Sequence, residues 1–130
     1  MSYTTKIAVV VNPSSANGRT GKRWPDIERR LRGVLGDFTT LITKRPGHAV
    51  DLTRKAIQDG HELIVSVGGD GTHCEVVNGF FEGNLPVNPA AAMAIFPHGT
   101  GSDFARGMGV RKIADALAML EARNISKVDL

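Results

Sequence analysis

Three glycines, an aspartate and a threonine fill one unbroken run, Gly68-Gly69-Asp70-Gly71-Thr72, directly behind the apolar stretch Leu63-Ile64-Val65-Ser66-Val67. A polyphosphate leaving water needs replacement donors. Backbone N–H groups at a glycine-rich turn entering a helix supply them, together with a favourable dipole. Gly68, Gly69 and Gly71 carry no Cβ and let the backbone approach a ligand closely. Thr72 can cap the helix or bond a phosphate oxygen. Asp70 would repel phosphates unless a cation intervened, and Mg²⁺, held directly or through water, is the natural one. The alternative is a tight strand-to-helix turn in which Asp70 bonds its own backbone, although three glycines exceed what such a turn requires. The run is neither the spaced Gly-x-Gly-x-x-Gly dinucleotide fingerprint nor the Walker loop with its lysine.

Such a loop must be positioned by a strand before it and a helix behind it, and the sequence carries that alternation throughout. Ile7 to Val11, Leu63 to Val67 and Ala92 to Phe96 are short, largely apolar runs of the kind buried on both faces of a parallel sheet; Phe38 to Thr43 reads as a further strand, and Ile125 to Leu130 as one cut short by the chain end. Helical spacing puts Ile27, Leu31, Val34 and Leu35 on one face from about Pro25 to a C-cap at Gly36. A second face joins Ala49, Leu52, Ala56 and Ile57 up to Gly60. Val76, Val77, Phe80 and Phe81 mark a third helix closed by Gly83, and Ile113, Ala116, Leu117 and Leu120 a last one. Leu85 to Pro89, with two prolines, reads as a connector. The prediction is an α/β, Rossmann-like three-layer domain with a mostly parallel sheet. In such sheets ligands bind beyond the strands' carboxyl ends. The turns at Asn12, Gly68 and a second glycine loop, Pro97-His98-Gly99-Thr100-Gly101, all fall there.

The 130 residues leave room for one domain with one core. Apolar residues at 42% and charged residues at 22% are ordinary for a soluble globular protein and exclude disordered or fibrous classes. No apolar run approaches the ~20 residues of a membrane span, and the polar start Ser2-Tyr3-Thr4-Thr5-Lys6 lacks a signal-peptide core, so the expected location is cytoplasmic. The lone Cys74 excludes an intramolecular disulfide and a cysteine metal knuckle, and reads as a small buried filler. The net charge of +3 is mild, but Arg19, Lys22, Arg23, Arg29, Arg30 and Arg32 cluster in one segment. They form either a solvated helix face or an attraction for phosphates or an anionic membrane surface. Without interleaved aromatics or a recognisable motif, no nucleic-acid partner is expected.

Taken together, the motifs resemble the catalytic domain of diacylglycerol kinases and related lipid kinases. The residues concerned are Asn12-Pro13-Ser14-Ser15, Thr43 followed by Gly47-His48-Ala49, Gly68 to Thr72 continuing as His73-Cys74-Glu75-Val76-Val77-Asn78-Gly79, and Pro97 to Arg106. The resemblance spans essentially the whole chain. The double-glycine aspartate loop alone is shared with NAD kinases and phosphofructokinases, whose nucleotide-binding domains the fold would resemble. The resemblance implies an ATP site built from Asn12, Pro13, Ser14, Thr43, Gly68, Gly69, Asp70, Gly71, Thr72, Glu75, Gly99 and Thr100. It also implies a water and Mg²⁺ network supported by Asp70 and Asp103, with Asp70 meeting the metal through water. Bland roles stand beside these: turn stabilisation for Asn12 and Thr43, and helix-dipole compensation for Glu75 and Asp103. Arg106 suits a phosphate, a lipid headgroup or plain solvent, and neither His48 nor His98 has an identifiable partner that would make it a base. Two positions depart from the family pattern: Ser102 stands where asparagine is commonest, and Ala16 where glycine is frequent.

What the resemblance implies about function is transfer of the ATP γ-phosphate to a lipid hydroxyl, giving phosphatidic acid if the lipid is diacylglycerol, with Mg²⁺ as cofactor and a peripheral place at the inner membrane face. A homodimer is left open. The family draws its catalytic base and most lipid contacts from a second, β-rich domain. Residues 1–130 are therefore expected to be the nucleotide-binding N-terminal domain, binding ATP weakly and inactive alone. An NAD kinase-like enzyme, disfavoured by the Gly99 to Arg106 loop, and a non-catalytic nucleotide-sensing module are the alternatives.

Overall fold

A computed structural model of the chain describes residues 6–97. The elements run β1 (Ile7–Val11), α1 (Arg19–Leu35), β2 (Thr39–Ile42), α2 (His48–Gln58), β3 (Leu63–Gly68), α3 (Asp70–Gly79), β4 (Phe81–Glu82), β5 (Leu85–Pro86) and β6 (Ala92–Pro97). Strands β2, β1, β3 and β6, in that spatial order, form one parallel sheet. β3 is buried along its whole length, which is why its sequence runs apolar rather than alternating.

The pleat sends alternate side chains to two cores. On one face Val9, Val11, Leu63, Val65 and Val67 pack with Ile27 and Leu31 of α1. On the other, Ala8, Val10 and Ile64 pack with Ala49, Ala56 and Ile57 of α2 and with Val76 of α3. Helix, sheet and helix pair make the three layers of the expected Rossmann-like α/β fold.

Helices α2 and α3 approach closely because Gly79 has no side chain. A Cβ there would stand 2.6 Å from Thr53 Cβ and 2.7 Å from the Val50 carbonyl oxygen.

Three expectations about local structure need correction. Helix α1 begins at Arg19, not near Pro25, and carries that proline on its exposed side. Its start is fixed by Ser15, whose hydroxyl donates to the Asn12 carbonyl at 2.9 Å and lies 2.6 Å from the buried Thr20 Oγ1. Helix α3 ends at Gly79 rather than Gly83, where the Arg54 guanidinium donates to the carbonyls of Asn78 (3.3 Å) and Phe81 (2.8 Å). The chain then turns back through Gly83, at φ 65°, into a small antiparallel β4–β5 hairpin, so the supposed connector at Leu85-Pro86 is an edge strand. Gly36 and Gly60 do follow α1 and α2 in positive-φ conformations, at 81° and 102°.

Among the described residues no helix is long and apolar enough to cross a membrane.

Candidate functional site

From β1 the chain crosses to β2 on one side, and from β2 it returns past β1 to β3 on the other, so the strand order reverses between β1 and β3. Beyond their carboxyl ends such a reversal leaves a crevice, because the two outgoing loops diverge to opposite faces. A cavity of about 600 Å³ lies there. Asn12, Ser14 and Ser15 line it from the loop after β1, Thr43 to Pro46 from the loop after β2, and Gly69, Gly71 and Thr72 from the start of α3. Ala49 and Glu75 complete the wall.

The three loops are tied to one another. Asn12 Oδ1 accepts the Ser14 N–H at 3.0 Å, the turn-stabilising role, while its Nδ2 donates to Thr72 Oγ1 at 3.0 Å and joins the β1 loop to α3. Thr43 is buried, and its N–H donates to the Val11 carbonyl at 2.9 Å. Pro13 stands outside the cavity wall and packs beneath Gly21, where a Cβ would come within 3.0 Å of its carbonyl oxygen.

The glycines divide by role. A Cβ on Gly68 would collide with Thr72, 2.6 Å from Oγ1, so this glycine admits the threonine. Gly69 and Gly71 have no atom within 4 Å of where a Cβ would stand, and both line the cavity. At the N-terminus of α3 the N-cap is Gly69, among the described residues no side chain caps the helix, and the first backbone bond runs from the His73 N–H to the Gly69 carbonyl at 3.0 Å. The amides of Asp70, Gly71 and Thr72 are thus the turn's orphan donors. Thr72 caps nothing; its oxygen accepts from Asn12 and its hydroxyl proton is left to donate. Asp70 is exposed at the same turn, and among the described residues no group of three or more acidic, histidine or cysteine side chains gathers to hold a metal by itself.

Helix α2 presents the opposite case. Its N-cap, Gly47, has no side chain to offer, but both carboxylate oxygens of Glu75 reach across from α3: Oε2 accepts the Gly47 N–H at 3.0 Å and Oε1 the Ala49 N–H at 3.3 Å. The dipole compensation considered for Glu75 is therefore directed at α2, not at its own helix.

Two basic neighbours belong to none of the sequence motifs. Lys44 and Arg45 bring positive charge to the rim, Arg45 lying 3.7 Å from Asp51 in an exposed pair. A basic pair directly after a strand end was the available signal. His73 stands behind the glycine loop with Nδ1 2.7 Å from the buried Ser66 Oγ. Burial pushes its imidazole below the usual 6.5, partly opposed by the Asp70 carboxylate. His48 serves the turn, its Nδ1 accepting the Lys44 N–H at 2.9 Å. Cys74 is exposed, contrary to expectation. The basic segment splits: Arg29 and Arg30 pair with Asp26, and Arg32 with Glu28 and Asp37, whereas Arg19, Lys22 and Arg23 make no ion pair among the described residues.

The family model described as the diacylglycerol kinase catalytic domain matches residues 6–130. The chain belongs to that family. Among diacylglycerol kinase relatives, one from Staphylococcus haemolyticus is 30% identical over 123 residues, covering 94% of this chain and 36% of the relative. One from Staphylococcus aureus is 28% identical over 123 residues, covering 94% and 38%. A crystal structure described as a diacylglycerol kinase from Bacillus anthracis superposes with a TM-score of 0.63 at 27% identity, over 92% of this chain and 43% of that one. The chain thus spans little more than a third of the length of the curated diacylglycerol kinases it matches. Of the residues that resemblance assigned to the site, Gly99, Thr100 and Asp103 lie outside the described residues, as do His98, Ser102, Arg106, the helix expected around Ile113 to Leu120 and the strand expected from Ile125.

Proposed function

We propose that this chain binds ATP with Mg²⁺ in the cavity between the Asn12, Thr43 and Gly69 loops, as the phosphoryl-donor half of a lipid kinase. The observation that carries this reading is the contrast between two helix starts. The first turn of α2 is capped by Glu75, whereas that of α3 has no side-chain cap among the described residues and opens onto about 600 Å³ past two glycines. Three amides and a dipole end then serve the phosphates. Lys44 and Arg45 at the rim add favourable potential for a polyanion.

Asp70 fits a cation shared with phosphates: one exposed carboxylate beside the open turn is the pattern in which Mg²⁺ keeps several waters. When bound, the metal neutralises charge developing on the phosphate oxygens. In this reading the acceptor is a lipid hydroxyl, diacylglycerol being the one in the relatives' names, with phosphatidic acid as the product. The group that takes the acceptor's proton and most of the lipid contacts belong to a β-rich domain outside residues 1–130. The 130 residues alone then bind nucleotide weakly without phosphorylating lipid, and the whole enzyme works peripherally at a membrane.

Calorimetric titration of the chain and of Asp70→Asn with ATP, in Mg²⁺ and in EDTA, tests the assignment. The unaltered chain is expected to prefer the magnesium complex by about tenfold, the worth of one charge-assisted contact. In Asp70→Asn that ratio falls towards one. An unaltered ratio in the variant contradicts the role of Asp70, and no binding in either condition contradicts the site.

A further inference from the structure

Glu75 lines the cavity, a position that invites a direct contact with the bound nucleotide. Its hydrogen bonds point elsewhere. Both oxygens are engaged by backbone amides 26 and 28 residues away in sequence, at 3.3 Å to Ala49 and 3.0 Å to Gly47. These are donors for which the N-cap Gly47 offers no side chain, and no other side chain among the described residues meets them. Glu75 and Gly79, four residues apart and so on one face of α3, make successive contacts along α2: the carboxylate at Gly47 and Ala49, the bare Cα against Val50 and Thr53. Helix α3 carries the glycine turn at its start, and α2 is led in by the Thr43 to Pro46 loop. The carboxylate therefore pins together two of the three walls of the cavity.

We infer that Glu75 is a positioning residue: it caps α2 from α3, and by doing so fixes the Thr43 to Pro46 loop at the distance from the glycine turn at which one nucleotide spans both. The inference rests on the nucleotide reading above and deepens it. The two amides take one acceptor site on each oxygen of Glu75, so a ribose contact would add to the cap rather than replace it, and the two roles separate by experiment.

The test compares the chain with Glu75→Gln, which forfeits the charge and one acceptor, and Glu75→Asp, which keeps the charge but withdraws it by one methylene. Two-dimensional NMR confirms folding, amide exchange is read at Gly47 and Ala49, and affinities are measured for ATP, 2′-deoxy-ATP and 3′-deoxy-ATP. The expected result is a roughly tenfold loss of amide protection at those two residues, the size of a lost charged cap. A similar loss of affinity is expected, equal for all three nucleotides. A loss confined to nucleotides that keep a particular ribose hydroxyl would mark direct contact and overturn the inference. Affinity unchanged after protection is lost would overturn it too, by making the cap purely structural. Unaltered protection in both variants would refute the cap while leaving the nucleotide site standing, whereas failure of the unaltered chain to bind ATP would remove that site and the inference with it.

Discussion

Replacing Gly71 by alanine should make the protein more stable and worse at its work. Gly71 is the second residue of α3, and nothing lies within 4 Å of the position its Cβ would take. Glycine in a helix costs roughly 0.5–1 kcal/mol relative to alanine, through the backbone freedom it loses on folding. Gly71→Ala should recover about half of that, being near the helix end, which corresponds to a rise in melting temperature of roughly 1–3 °C for a domain of this size. Gly71 lines the cavity, so the same methyl adds bulk beside the three orphan amides, where a phosphate oxygen must come within hydrogen-bonding distance. Loss of even one such charge-assisted bond is worth about tenfold in affinity. Thermal melts and ATP titrations on one preparation read both effects. A variant that melts higher and binds as well as before would show that the open turn is not a phosphate cradle. One that melts lower would show that the space at Gly71 has been misjudged.

The identical chemical change at Gly79 should act with the opposite sign. There the new Cβ meets the Val50 carbonyl at 2.7 Å, a backbone atom that no rotamer change can move aside, so Gly79→Ala should destabilise by about 1–3 kcal/mol in urea unfolding despite its better helix propensity. A stabilised variant would refute the close packing of α2 on α3. The buried His73 makes stability depend on pH. Its folded pKa is lowered from 6.5, so below that value the unfolded chain takes up a proton that the folded one refuses, and stability falls with pH until the folded pKa is passed. Melting curves from pH 8 to 5 should show that fall in the unaltered chain and a shallower one in His73→Asn; equal slopes would dismiss the histidine as its source.

The sheet was legible because three of its strands announce themselves as nearly continuous apolar runs, and they do so because helices cover both faces. The glycine loop was legible because three glycines in five residues are hard to explain otherwise. What escaped was information held between segments. The start of α1 depends on Ser15 meeting Thr20 and on a left-handed turn through Ala16 and Asn17, at φ 57° and 59°, whereas Pro25 pointed to a later start. Ala16, which departs from the frequent glycine, sits in the very conformation that glycine favours. Two prolines concealed the β4–β5 edge hairpin, although Gly83-Asn84 is itself a hairpin signal. Residue type alone puts Cys74 inside, but the helical phase set by Thr72 and Val76 turns it outward. Glu75 was assigned to its own helix or to the nucleotide, since nothing local connects it with amides 26 and 28 residues away.

Whether the crevice between β1 and β3 holds a nucleotide by its phosphates is decided by an NMR titration of the isotope-labelled chain with ATP and Mg²⁺. Saturable shifts are expected at the amides of Asp70, Gly71 and Thr72, with smaller ones at Asn12 and Thr43, reproduced in part by inorganic triphosphate. No saturable shift at millimolar nucleotide, or shifts centred away from those residues, would contradict it.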